Sequence, residues 1–161
     1  IQIGISNHSK DTTAHKLGLV KITPRTRIQM MLFAGNTSKL NAAVRFKNRR
    51  SYTMLGIGTH YLDLNDKFSG CVFYRAGLYY PIASKLELSG DLGYFHIENF
   101  ENEDAETPER MYSLQARINL EYKFKSRISF FASGGYGMTR YYDKNKFYEK
   151  KPIFEAGVIL F

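Results

Sequence analysis

From Tyr112 to Phe124 apolar and polar side chains alternate without a break. Tyr112, Leu114, Ala116, Ile118, Leu120, Tyr122 and Phe124 fall on one face, and Ser113, Gln115, Arg117, Asn119, Glu121 and Lys123 on the other. A helix turns every ~3.6 residues and would scatter this pattern, whereas a strand sends successive side chains to opposite faces. The same alternation sets Ile28, Met30 and Leu32 against Arg27 and Gln29, and Leu40, Ala42, Val44 and Phe46 against Asn41, Arg45 and Lys47. It sets Val72, Tyr74, Ala76, Leu78 and Tyr80 against Phe73, Arg75 and Gly77, and Leu86, Leu88, Leu92 and Tyr94 against Glu87, Ser89 and Asp91. In the ninth segment Phe130, Ala132, Tyr136 and Met138 oppose Ser129, Phe131, Ser133, Gly135 and Gly137.

The pattern predicts strands over 1–6, 14–23, 26–34, 39–47, 52–62, 71–81, 85–97, 111–124, 127–140 and 152–161. Short turns at 23–25, 47–51, 82–84 and 125–127 alternate with connections that tend to be longer and more polar, at 7–13, 63–70, 98–110 and 141–151, with Gly35–Ser38 as the short exception. The expected fold is therefore all-β, an antiparallel up-and-down barrel of about ten strands, or eight if the N-terminal segments are irregular. No repeat or linker divides residues 1–161, which read as one domain. The chain starts Ile1-Gln2-Ile3 without Met and already alternates there, which suggests an N-terminal truncation.

Alternation alone fits a soluble sheet as well as a barrel in a membrane; the second inverts the first, with apolar residues on lipid and polar ones in the lumen. Four features favour the inverted, transmembrane reading. The apolar-face aromatics Phe46, Tyr80, Tyr122, Phe124 and Phe130 gather beside the short turns, as a girdle at one membrane interface would. Several strands reach the 9–11 or so residues that cross a bilayer when tilted. Short turns alternate with longer loops, and the chain ends on an apolar strand closed by Phe161. A helical span is excluded, since the longest stretches free of Asp, Glu, Lys and Arg are twelve residues, 51–62 and 128–139.

The last segment, PIFEAGVILF from Pro152 to Phe161, resembles the C-terminal strand of bacterial outer-membrane β-barrels. Such strands commonly end in Phe with an aromatic or apolar residue two positions earlier, which Phe161 and Ile159 match. Glu155 departs from the pattern and leaves a second choice of lipid face, made of Phe154, Ala156, Val158 and Leu160. The whole chain resembles small barrels of the opacity or OmpA transmembrane type. The resemblance implies a bacterial outer-membrane location with both termini periplasmic. It also implies recognition of Ile159 and Phe161 by the barrel assembly machinery, and a lipid bilayer with lipopolysaccharide as surroundings.

Charge sharpens this picture. With 23 Lys and Arg against 15 Asp and Glu the net charge is +8, yet Arg27, Arg45, Arg75, Glu87, Asp91, Arg117 and Glu121 all lie on the polar face. Facing lipid, an Arg or Lys at mid-depth would cost about 2–4 kcal/mol; facing a narrow lumen, these groups pair into a network that fills it. A narrow, anion-preferring conduit is the alternative use of the basic excess. The 98–110 connection holds six of the fifteen acids, Glu101, Glu103, Asp104 and Glu106 among them, and reads as a solvated surface loop. The 141–151 connection mixes Lys144, Lys146, Lys150 and Lys151 with Tyr141, Tyr142, Phe147 and Tyr148, which in a surface loop suits lipopolysaccharide or a host ligand better than nucleic acid.

Catalytic chemistry is sparse. One cysteine, Cys71, precludes an internal disulfide, and four scattered histidines, His8, His15, His60 and His96, give no zinc spacing. Barrel enzymes that act on lipids resemble one another in a His-x-Ser pattern on a strand, which this chain lacks; His8 and Ser9 are adjacent in a connection instead. No cofactor or metal is expected. The reading is a structural or adhesive outer-membrane barrel acting through its loops. Its rivals are the anchor of an autotransporter-like protein, a lipid-modifying enzyme, and a soluble all-β domain with a basic surface.

Overall fold

A computed structural model describes residues 2–8, 16–22, 24–61, 69–100, 110–142 and 147–161. Among them are ten strands: β1 (Gln2–His8), β2 (Lys16–Ile22), β3 (Arg27–Gly35), β4 (Ser38–Lys47), β5 (Ser51–Tyr61), β6 (Ser69–Pro81), β7 (Leu86–Asn99), β8 (Arg110–Lys125), β9 (Ile128–Tyr141) and β10 (Phe147–Leu160). Strands β3 to β10 form a closed antiparallel barrel in which each pairs with its sequence neighbour. The ring closes where β10 meets β3, from Glu155 opposite Gly35 to Leu160 opposite Met30.

The barrel thus has eight strands, the lower of the two expected numbers. Segments β1 and β2 are strands, as their alternation indicates, but they lie outside the ring as a separate parallel pair running from Gln2 opposite Lys16 to His8 opposite Ile22. Alternation specifies a strand, not its partner. Because β10 already occupies the free edge of β3, the ring has no edge left for β2 to join.

A second correction concerns the 141–151 connection. The last strand begins at Phe147 rather than 152 and continues the ladder on β9, with Lys150 opposite Met138 and Lys151 opposite Gly137. Polar composition suggested a loop there, but backbone pairing with β9 extends through it past an irregularity between Phe147 and Glu149. Strands β6 to β10 consequently span 13 to 16 residues.

The distribution of side chains is inverted relative to a soluble protein. Leu78, Tyr80 and Leu92 on the outer wall are 68%, 74% and 71% exposed, whereas Arg75 is 1% exposed and Asp91 5%. Strands β3, β4, β6, β7, β8 and β9 keep the faces that alternation assigns to them, and in β10 the second choice of lipid face holds. For β10 the outward set is Phe154, Ala156, Val158 and Leu160, so Glu155 and Ile159 point inward. The short turns are held by backbone bonds, as from Asn48 N to Ser51 O at 2.8 Å and from Ile82 N to Leu86 O at 2.9 Å. Tyr79 Oη adds bonds to the Asn48 and Arg49 carbonyls at 2.6 and 2.9 Å.

Inward glycines make room for large lumen side chains. A Cβ on Gly77 would lie 2.7 Å from Asp91 Cβ and 2.8 Å from Tyr52 Cζ, and one on Gly135 would press on the Ala116 carbonyl and lie 2.9 Å from Arg117 Cα and Cγ. The neighbouring Gly134 faces outward, where a Cβ would meet only the Phe154 ring at 4.0 Å. Two adjacent substitutions therefore separate lumen packing from strand propensity. Gly135→Ala should destabilise the folded barrel by about 1–3 kcal/mol, and Gly134→Ala should leave it within about 0.5 kcal/mol. Urea unfolding in detergent measures both.

Candidate functional site

The lumen gathers the charged side chains into two connected clusters. In the first, the guanidinium of Arg75 grips Asp91 with two parallel bonds, Nε to Oδ1 at 2.9 Å and Nη2 to Oδ2 at 2.7 Å. Its third nitrogen, Nη1, donates to Glu155 Oε2 at 3.0 Å. Arg117 Nη2 takes the other oxygen of the same carboxylate, Glu155 Oε1, at 2.9 Å. Neutral groups complete the coordination of Asp91: Tyr52 Oη donates to it at 2.6 Å and Asn119 Nδ2 at 2.8 Å. Asn119 Oδ1 in turn accepts from Arg75 Nη2 at 3.1 Å. The bidentate fork matches a planar guanidinium to a planar carboxylate, which a lysine could not reproduce.

The second cluster lies toward the short-turn end. Arg45 donates from Nε to Gln29 Oε1 at 2.7 Å and from Nη2 to Glu121 Oε2 at 2.9 Å. Lys47 pairs with Glu87 and lies 4.0 Å from Glu121, while Lys123 reaches Glu87 at 3.7 Å. Arg45, Lys47, Arg75 and Arg117 are buried, as are Glu87, Asp91, Glu121 and Glu155. The four cations and four anions cancel, so no net charge is left to be desolvated.

Aromatic rings interleave with these charges. Phe33 meets Phe73 and Phe131 edge-on, with centroids 5.9 and 5.7 Å apart, and Phe73 stacks on Phe95 at 4.8 Å. The guanidinium carbon of Arg117 sits 4.9 Å from the Phe95 ring centre and that of Arg75 5.9 Å from Phe33, within cation–π range. An eight-stranded interior is just wide enough for side chains to fill, and here rings and ion pairs occupy it.

Of the residues expected in the lumen network, six meet there: Arg45, Arg75, Glu87, Asp91, Arg117 and Glu121. Arg27 does not. It is exposed at the short-turn mouth, where it lines a cavity of about 430 Å³ with Arg25, Arg49 and Lys123, because its position in β3 is the first residue of the strand. The aromatic residues chosen for a girdle all face outward at that end; Tyr80, Tyr122, Phe124 and Phe130 are exposed and Phe46 is half-buried. Phe124 and Phe130 pack edge-on with centroids 5.8 Å apart.

A second outward aromatic group, unforeseen from the sequence, lies at the opposite end. Tyr112 is 6.3 Å from Tyr94 and 5.1 Å from Tyr142 by ring centres, and His96 joins them with Nδ1 3.2 Å from Tyr142 Oη. Burial and the hydrogen bond to Tyr94 push the Tyr142 hydroxyl up to about 12. His96 Nε2 faces Glu98 at 3.2 Å, and Arg110 holds that carboxylate at 3.3 Å. Ile159 is wholly buried in the lumen, while Phe161 lies exposed beyond β10 with its amide on the Arg127 carbonyl at 3.1 Å. Glu101, Glu103, Asp104 and Glu106 fall outside the described residues, as do the side chains of His8, His15 and His60. Among the described residues no cluster of His, Cys, Asp or Glu could hold a metal ion.

Two solved structures share this architecture. The N-terminal β-barrel domain of Pseudomonas aeruginosa OprF superposes with a TM-score of 0.57 at 16% identity, over 83% of this chain and 95% of that one. Neisserial surface protein A, NspA, gives 0.50 at 10% identity, over 83% and 93%. The fold is that of a small outer-membrane β-barrel. No family model and no curated protein matches the sequence.

Sequence reasoning undercounted the lumen of this small-barrel fold in one informative place. Glu155 is the acid that joins Arg75 to Arg117, and its signal was visible as the one charge interrupting an apolar terminal strand. Lys47, Tyr52, Gln29 and Asn119 also belong to the network; Gln29, Lys47 and Asn119 already stood on polar faces. Removing Glu155 leaves two buried guanidinium groups short of an acid. Glu155→Gln should destabilise the barrel by about 3–5 kcal/mol, and adding Arg117→Met should recover part of that loss. Urea unfolding in detergent of the two variants and the parent decides the matter.

Proposed function

We propose that the chain is an integral outer-membrane β-barrel with a closed, ion-paired lumen, which serves a structural role and meets external ligands through the loops opposite its short turns. The observation that carries this reading is the inversion of faces: a ring of exposed Leu, Ile, Val and aromatic residues around a core of buried Arg, Lys, Asp and Glu. In water so large an apolar outer wall would drive association, whereas in a bilayer it is the stable arrangement. The two outward aromatic groups, Phe124 with Phe130 at one end and Tyr94, Tyr112 and Tyr142 at the other, suit the two membrane interfaces.

On this reading the short turns and both chain ends are periplasmic. The 98–110 and 141–151 segments face outward, toward lipopolysaccharide or a host ligand. Phe161, exposed at the end of β10, is the residue that the assembly machinery would read; Ile159, turned into the lumen, would contribute through packing. The charge-balanced, ring-filled interior favours a plug over a conduit.

The folded barrel should run at a different position from the boiled protein on an SDS gel, because its eight strands close into a hydrogen-bonded ring. Equal mobility, with solubility in plain buffer, would overturn the membrane reading. Planar bilayers containing the protein should show no steady conductance; a steady anion current would favour the conduit instead. On intact cells an antibody should reach an epitope inserted at 103–105 and fail to reach one at 83–84; the reverse pattern would invert the orientation.

A further inference from the structure

We propose that the outer wall carries a seat for one anionic glycerophospholipid of the leaflet at the short-turn end, with an acyl chain in a groove over β6–β8 and the phosphate on Arg50. This rests on the membrane reading above. The groove has a volume of about 500 Å³ and is lined by Leu78, Tyr80, Leu88, Gly90 and Ile118, with Arg50 at its edge. Its origin is a missing side chain. Gly90 lies directly across from Leu78 on β6 and from Ile118 on β8, all three facing outward, so the wall is dented between two bulky residues. Among the described residues a Cβ at Gly90 would find only the Arg117 carbonyl, at 3.7 Å, so the dent is open outward and none of them fills it.

Such a groove alone would accept any hydrocarbon. Arg50 adds selectivity. It belongs to the β4–β5 turn, its side chain is exposed, and its carbonyl is tied to Tyr79 N at 3.1 Å, which fixes the turn against β6 beside the groove. A guanidinium at the interfacial end of an apolar slot matches a phosphate at the end of an acyl chain, and its planar fork can take two phosphate oxygens. The same end exposes Arg25, Arg27, Arg49, Lys85, Lys125 and Arg127, and the turns at 24–27, 48–50, 82–85 and 125–127 contain no Asp or Glu. A net negative headgroup is therefore favoured there.

The test is native mass spectrometry of the detergent-solubilised barrel titrated with dioleoylphosphatidylglycerol, dioleoylglycerol or inorganic phosphate. One phosphatidylglycerol should bind in preference, with dioleoylglycerol and phosphate alone weaker. Arg50→Gln should weaken the lipid by about tenfold. Gly90→Leu, which fills the dent, should do the same, and Lys39→Gln, exposed at the opposite end of the barrel, should leave binding unchanged. Lipid adducts that survive both Arg50→Gln and Gly90→Leu, or that Lys39→Gln weakens equally, would overturn the seat. Each variant is first checked for its unheated gel position. If Gly90→Leu loses that position, Arg50→Gln decides alone. Parent protein that shows the heat-dependent shift but no lipid preference refutes this inference only, whereas loss of the shift in the parent refutes the membrane reading itself.

Discussion

Burial of Arg75 is the constraint from which the rest of the lumen follows. A guanidinium 1% exposed cannot be neutralised by losing its proton, so the fold must bring acids to it. Asp91 arrives from β7 and Glu155 from β10, two strands far apart in the ring, and both close on a side chain from β6. Asp91 follows the β6–β7 ladder, but the bonds of Glu155 to Arg75 and Arg117, like those of Arg45 to Glu121 and Lys47 to Glu87, tie together strands that share no backbone bonds. Such a network adds little net stability over an apolar filling, yet it makes any arrangement that strands one of its charges costly. It therefore selects one register: sliding a strand by a single residue would turn its charges outward and its leucines inward.

The network needs space as well as partners. Large and absent side chains are matched across the ladders: Gly77 opposite Asp91, Gly93 opposite Arg75, Gly135 opposite Arg117 and Gly157 opposite Phe33. In an eight-stranded ring two bulky residues facing each other inward would collide, so glycine on one strand specifies where an arginine or phenylalanine on its neighbour can stand. The dent at Gly90 is the same device turned outward. There the missing side chain leaves a dent that faces the surroundings, and none of the described residues occupies it.

The faces of the barrel strands were legible because one rule, alternation, decides them. Phe131 and Gly135 were assigned inward and Tyr136 outward without knowledge of any contact. What alternation does not encode is partnership. It could not tell that β1 and β2 pair with each other outside the ring, nor that the backbone ladder of β10 runs on through Lys150 and Lys151. Glu155 shows the boundary well. Taken with the terminal-strand resemblance it was an anomaly; taken with alternation alone it was an inward acid whose partners, 80 and 38 residues away, only closure of the ring could reveal. Arg27 failed for the opposite reason, since its face was right and its height along the barrel was not.

Charge cancellation inside the barrel has a consequence outside it. With four cations and four anions neutralised in the lumen, the net +8 of the chain must be carried by its rims and connections. The excess therefore sits at surfaces. At the short-turn mouth it is unopposed, since Arg25, Arg27 and Arg49 line the opening and the nearest acid, Glu87, is already shared by Lys47 and Lys123. Whatever approaches that end meets positive charge from every turn.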